Sequence, residues 1–259
     1  MLVTLIGAGN LATQLGLALK EKGHKFLQVY SRTSLSAEAL AGKLEAKAVT
    51  NPEDIEDKAD IYICAIKDDA IQKVLSGINF GKGILVHTAG SIPIEILSGY
   101  ASCYGVIYPL QTFSKNRKAN FSEIPVFLEA NTPECLKIIT ELASGLSDNV
   151  KHLDSEKRKQ LHLAAVFACN FVNHLYSIGG ELLNEQELGF ELLLPLIDET
   201  AKKVHEISPA LAQTGPAKRF DKSVIDKHMS LLKDHPEWME LYDKLSRDIY
   251  NKNKQQNYS

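Results

Sequence analysis

The chain has 259 residues, 44% hydrophobic and 24% charged, a composition that excludes a wholly disordered chain, a collagen-like fibre and a membrane bundle. Lys and Arg number 29 against 32 Asp and Glu, a formal net charge of −3, so no bulk positive field draws the chain to nucleic acid. Cys64, Cys103, Cys135 and Cys169 stand singly with no C-x-x-C, a spacing that implies neither a zinc knuckle nor a disulfide framework and suits a reducing cytoplasm. The histidines are equally dispersed, and no protein metal site is expected.

Short apolar runs predict strands at Leu2–Ile6, Lys25–Tyr30, Ile61–Ile66, Gly83–His87 and Cys103–Tyr108, with weaker ones at Ala46–Val49 and Pro125–Glu129. Between them fall helical patterns at Leu11–Lys22, Ser34–Lys43, Asp69–Ser76, Pro93–Ser98 and Pro133–Gly145. Strands alternating with helices predict a doubly wound α/β domain, its parallel sheet covered on both faces. From Leu153 the pattern is helical only: Ser155–Asn184, Glu187–Val204 (kinked or shortened by Pro195), Asp221–Lys233 and Pro236–Tyr250, then a frayed tail over 251–259. The expected division is therefore 1–152, an α/β domain, and 153–259, an all-helical one. The helix at 155–184 is apolar on most of its surface, which demands more burial than two or three neighbouring helices provide and predicts a subunit interface.

Residues 2–19 carry no formal charge and begin where a signal peptide would. No Lys or Arg precedes them, and Gly7, Gly9, Asn10, Thr13, Gln14 and Gly16 interrupt the apolar run, so a buried strand turning into a helix is the better reading. The run contains Ile6-Gly7-Ala8-Gly9-Asn10-Leu11-Ala12, a G-x-G-x-x-A turn after a strand and opening a helix. Gly7 permits the tight turn, Gly9 lets backbone approach a pyrophosphate, and Ala12 allows close helix–strand packing, with the helix N-terminus aimed at the phosphates. An NAD site ordinarily places an acid at the end of the second strand to hold the ribose 2′-hydroxyl. No Asp or Glu occurs from Lys22 through Ala37; the strand ends in Ser31-Arg32-Thr33, where Arg32 suits a 2′-phosphate and the hydroxyls can donate to it. NADP is the expected cofactor, with Gly7, Ala8, Gly9, Asn10, Leu11, Ser31, Arg32 and Thr33 as its contacts, and Ile66 and Lys67 presenting backbone to the nicotinamide ribose.

Ligands of doubly wound sheets lie beyond the carboxyl ends of the strands. There stand Asp68, expected as a helix N-cap, and His87, either a proton donor or a hydrogen-bonded structural histidine. Ser91 is expected to cap the next short helix, the alternative being to bind substrate. Tyr108, Gln111 and Thr112 precede a basic loop, Lys115–Lys118, that is either solvated or closes over an anion. On the long helix, His162 and Asn170 are eight residues apart, about 12 Å along the axis, able to line one cleft but not to touch. His87, His162, Tyr108 and Asn170 are the candidate catalytic groups.

The Gly7–Ala12 turn with Ser31-Arg32-Thr33 resembles the NADP-binding domain of pyrroline-5-carboxylate reductases, 6-phosphogluconate dehydrogenase relatives and deazaflavin-dependent NADP oxidoreductases. Over residues 2–247 the chain resembles a bacterial family that pairs this Rossmann-like domain with a helical domain of unknown function. The pieces that carry the likeness are His87-Thr88-Ala89-Gly90-Ser91, Pro109-Leu110-Gln111-Thr112-Phe113, the run from His162 to Asn170, and Thr214-Gly215-Pro216. Tyr108 stands where that family often has His, and Arg219-Phe220-Asp221 where it usually has Arg-Gly-Asp. The helical Lys with Asn four residues on, used by 3-hydroxyacid dehydrogenases, is absent, since Leu163 follows Lys159 at that spacing. The motifs specify the family and not a reaction. With the composition, the NADP turn and the apolar helix, the first expectation is a cytoplasmic NADP(H)-dependent oxidoreductase that moves hydride to or from a small carbonyl, imine or hydroxyacid and dimerises through its helices, with no nucleic-acid or membrane partner. The alternative is a non-catalytic NADP-binding metabolite sensor.

Overall fold

Eight strands form one sheet in the computed structural model, which describes residues 1–256. They are β1 (Leu2–Ile6), β2 (Lys25–Tyr30), β3 (Lys47–Val49), β4 (Ile61–Cys64), β5 (Ile84–His87), β6 (Tyr104–Pro109), β7 (Val126–Ala130) and β8 (Val150–His152). Their order, β3-β2-β1-β4-β5-β6-β7-β8, contains the 3-2-1-4-5-6 order of doubly wound dinucleotide-binding sheets. The chain therefore reverses its winding between β1 and β4, and a crevice opens beyond their carboxyl ends.

Both faces of the sheet are buried. Along β4, Ile61 and Ile63 join one apolar cluster with Val3, Leu5, Leu15 and Leu44, while Tyr62 and Cys64 join another with Leu75, Phe80 and Leu97. That alternation of two apolar faces is why these strands read as unbroken hydrophobic runs. Helices α1 (Asn10–Glu21), α2 (Ser34–Leu44), α3 (Ile71–Leu75) and α4 (Pro133–Ser144) connect or cover the strands. After β8, α5 (Ser155–Ala165) passes through a π-helical segment, Val166–Phe171, into α6 (Val172–Asn184). The helices α7 (Leu194–Glu206), α8 (Pro209–Ala212), α9 (Pro216–Arg219), α10 (Lys222–Leu231) and α11 (Pro236–Gln256) follow. The described chain divides into two compact units, one of residues Met1–Asn170 and one from Phe171 onward. The first therefore takes in the last strand, which ends at His152, and the helical residues up to 170.

Several expectations are corrected. The sheet is not wholly parallel, because β7 runs antiparallel to β6, and β8, only three residues long, is a further strand. Of the two effects expected of Pro195 the structure shows shortening and no kink: α7 begins only at Leu194, with Pro195 in its first turn, where its missing N–H has no intrahelical partner to lose. Residues 251–256 continue α11 rather than fray; residues 257–259 of the expected tail lie outside the described residues. Cys103 and Cys135 are joined by a disulfide with Cα atoms 5.7 Å apart, linking the residue before β6 to the first turn of α4. A pair 32 residues apart in sequence leaves no dense spacing pattern to notice.

Candidate functional site

The glycine turn is built as its sequence requires. Gly7 has φ of +127°, and a Cβ there would lie 2.3 Å from the Ala65 carbonyl oxygen, so the turn can press against the end of β4 only with glycine. Its N–H donates to the Tyr30 carbonyl at 2.8 Å, tying the turn to β2. Gly9 is the N-cap of α1 and has open space on the side where a Cβ would stand. No side chain caps the helix and no acid lies in its first turn, so its first N–H groups and positive dipole end face the crevice. That is a cradle for a pyrophosphate.

A cleft of about 890 Å³ extends from this turn. All ten residues expected to hold the cofactor line it: Gly7, Ala8, Gly9, Asn10, Leu11, Ser31, Arg32, Thr33, Ile66 and Lys67. At the β2 end, Arg32 and Thr33 are exposed, and Thr33 is the N-cap of α2 without using its side chain for capping. Ser36, in the first turn of α2, lines the same corner, and no acid lies in that turn. A guanidinium, three hydroxyls and a helix N-terminus fit a 2′-phosphoribose, and no carboxylate competes for the ribose hydroxyl.

At its other end the cleft is lined by Thr88, Ala89, Gly90, Ser91, Tyr108 and His162. Tyr108 is the penultimate residue of β6 and His162 lies on α5; the phenol oxygen is 3.0 Å from Nδ1 of the imidazole, with the rings edge to face. Gly90 makes this arrangement possible, because a Cβ there would stand 2.7 Å from both Cγ and Nδ1 of His162. Burial raises the Tyr108 pKa above its ordinary value, and the Arg158 guanidinium opposes that shift.

The other two catalytic candidates are placed elsewhere. His87 is fully buried at the end of β5 and is not part of the cleft wall. Its Nδ1 accepts the Ala89 N–H at 3.1 Å, which puts the ring proton on Nε2, where the Pro93 carbonyl offers only a weak bond. Burial first, then the Arg158 charge, push its pKa down to about 3, so the ring is neutral at physiological pH. Asn170 is exposed in the π-helical segment and does not line the cleft; that segment shifts the register of the helix between it and His162. Asp68 and Ser91 are not caps. The Ser91 hydroxyl donates to the Asp68 carboxylate, joining the segments that follow β4 and β5. The basic loop is fastened to α1: Asn10 donates to the Phe113 carbonyl, and Gln14 bonds the backbone of Ser114, Lys115 and Ala119.

Residues 2–90 match the family described as NADP oxidoreductase coenzyme F420-dependent, and residues 124–249 match the Domain of unknown function (DUF2520). A candidate NADP oxidoreductase from Bacteroides fragilis is 50% identical and superposes with a TM-score of 0.94, covering 96% of this chain and 98% of that one. The fold is shared with 1-pyrroline-5-carboxylate reductase from Streptococcus pyogenes, at 15% identity, a TM-score of 0.64, and 97% and 98% coverage. It is shared also with an imine reductase from Myxococcus stipitatus in complex with NADP+, at 15% identity, a TM-score of 0.64, and 98% and 93% coverage. No functionally curated protein matches the chain.

Proposed function

The chain belongs to the family of NADP oxidoreductases that join an NADP-binding Rossmann-like domain to this helical domain, and from that premise we propose that it reduces a small imine or carbonyl compound with NADPH, or oxidises a small hydroxyacid to its keto acid with NADP+, using Tyr108 and His162 to move the proton. Its cofactor is NADP, and the residues present fit it: the Gly7–Leu11 turn for the pyrophosphate and Ser31, Arg32 and Thr33 for the 2′-phosphate. Bound NADPH supplies the hydride.

The observation that carries the proposal is the Tyr108–His162 hydrogen bond at the far end of the cleft that holds the glycine turn. Adding hydride to C=N or C=O leaves negative charge on the nitrogen or oxygen, and a proton must arrive there. With Nδ1 unprotonated, His162 accepts the phenolic proton and holds it away from the cleft. With Nδ1 protonated, the imidazole donates to the phenol oxygen, and the Tyr108 proton is directed to a substrate atom instead. As that proton leaves, His162 restores it and is itself reprotonated from solvent; oxidation runs the same transfers backwards. Fold neighbours that act on C=N bonds support the imine as the first substrate to try.

The test is NADPH consumption against a panel of cyclic and acyclic imines, keto acids and a deazaflavin. Turnover that falls sharply in Tyr108→Phe supports the reading. Tight NADPH binding with no turnover across the panel points to a sensor.

The protein is further proposed to be a cytoplasmic homodimer. The 30-residue helix Ser155–Asn184 is long and apolar enough to cross a membrane by length and composition. Leu163, Phe167, Phe171 and Leu175, four residues apart along it, are between 40% and 63% exposed, which suits a helix covered by a second copy. Light scattering at micromolar concentration decides, a monomer counting against it.

A further inference from the structure

Arg158 is completely buried, which is unusual for the side chain most costly to remove from water. It lies four residues before His162 on α5, hence about one turn below it on the same face. One Nη pairs with the Glu129 carboxylate on β7. The other donates to the Ile92 carbonyl at 2.6 Å and to the Ser155 hydroxyl at 3.0 Å. Ser155 completes the network: its N–H and hydroxyl donate to Glu129 at 3.0 and 2.7 Å, and its oxygen accepts the Ile94 N–H at 3.0 Å. One guanidinium thus ties together the first turn of α5, the end of β7, and the segment after β5 that carries Gly90.

A buried ion pair is a poor way to gain stability, since two well-packed apolar side chains serve as well or better. What it gives is geometry: a planar fork whose two Nη atoms are held by a carboxylate, a carbonyl and a hydroxyl, its Nε left without a partner, has one orientation, and Lys could not reproduce it. Two of the three elements it joins confine His162, namely its own helix and the segment whose Gly90 backbone lies against its ring.

We propose that Arg158 is a positioning residue for the Tyr108–His162 pair, locking α5 and the Gly90 segment in the arrangement that sets the imidazole against the phenol and keeping a fixed positive charge beside it. The inference rests on that pair being the proton-handling site. The phenol is bonded to His162 and acted on by the Arg158 charge, both from α5; Arg158 is in turn paired with Glu129 from β7 and acts on neutral His87 from β5, and Asp68 lines the same cleft. Removing the guanidinium and its partner carboxylate leaves burial of Tyr108 unopposed, which weakens it as an acid.

The test needs no substrate. In protein carrying ring-13C tyrosine, the Tyr108 signal is assigned by its loss in Tyr108→Phe and titrated in wild type, in Arg158→Met/Glu129→Met and in Arg158→Lys. The double variant leaves no unpaired buried charge. In it the Tyr108 midpoint is expected to rise by about one pH unit and the nuclear Overhauser contact between Tyr108 and His162 to weaken. NADPH affinity should stay within about twofold, because the phosphate sites are separate. Arg158→Lys is expected to keep the titration but lose the contact, and it decides the matter if the double variant does not fold. A wild-type titration and contact in the folded double variant, or a wild-type contact in Arg158→Lys, overturns the proposal. Unchanged turnover in Tyr108→Phe would defeat the functional reading alone and leave the titration result standing.

Discussion

Replacing Gly90 with alanine tests whether the His162 ring is held where the chemistry needs it. The added Cβ would stand 2.7 Å from Cγ and Nδ1 of His162 and 2.9 Å from its Cβ, where ordinary contact begins at 3.4 Å. The φ of Gly90 is not positive, so the backbone itself accepts alanine and the whole penalty is steric. Rotating the imidazole relieves only the ring atoms; the clash with the His162 Cβ remains, so α5 or the Gly90 segment must move. A retreat of about 0.7 Å would stretch the 3.0 Å Tyr108–Nδ1 bond beyond hydrogen-bonding reach. Overpacking of this kind costs about 1–3 kcal/mol, roughly 3–10 °C in Tm for a unit of this size. Misplacing a proton-handling group by most of an ångström costs about a hundredfold in kcat. Thermal unfolding, NADPH fluorescence titration and NADPH consumption read the three quantities. The expected result is a lower Tm and kcat with NADPH affinity within about twofold of wild type. In a His162→Ala background, where only the contact with Cβ remains, the same substitution should cost distinctly less in Tm. Wild-type Tm and turnover in Gly90→Ala, or a full loss of Tm in the His162→Ala background, would refute the packing argument.

Arg32→Ala should weaken NADPH binding about ten- to hundredfold while leaving NADH affinity unchanged, measured by fluorescence titration of both. Gly9→Ala meets nothing within 4 Å and should leave Tm unchanged while reducing NADPH affinity, whereas Gly7→Ala, strained at φ of +127° and facing the Ala65 carbonyl, should lower Tm. His87 titrates at about 3 in the folded protein against 6.5 in the unfolded chain. The unfolded state therefore binds a proton that the native state refuses, and stability falls as pH drops from about 6.5 towards 3. His87→Gln should flatten that part of the Tm–pH curve; an unchanged slope would show that His87 is not its source.

The strands and the cofactor turn were legible because they are local. Gly7, Gly9 and Ala12 sit at fixed spacing after an apolar strand, and Arg32 follows a second strand in a stretch with no acid. What escaped was set by tertiary pairing. Tyr108 and His162 were recognisable as candidates, but nothing in a separation of 54 residues says that their side chains meet. Asp68 and Ser91 have the composition of helix caps, yet each is satisfied by the other across two strand ends. Arg158 sits among Lys157, Lys159 and Glu156, which read as a solvated helix start. The only sign of its burial was Glu129, an acid in the apolar strand Val126-Phe127-Leu128-Glu129-Ala130. The strand β8 was missed because three residues with an exposed Lys and His carry no periodicity. The antiparallel turn of β7 leaves no local trace either.

The most direct test of the central claim is NADPH consumption by wild type and Tyr108→Phe, with each imine and keto acid of the panel, alongside NADPH binding to both proteins. Turnover of at least one substrate by wild type is expected, falling about a hundred- to ten-thousandfold in Tyr108→Phe with NADPH affinity unchanged. Equal turnover by both proteins, or tight NADPH binding with no turnover by either, would contradict it.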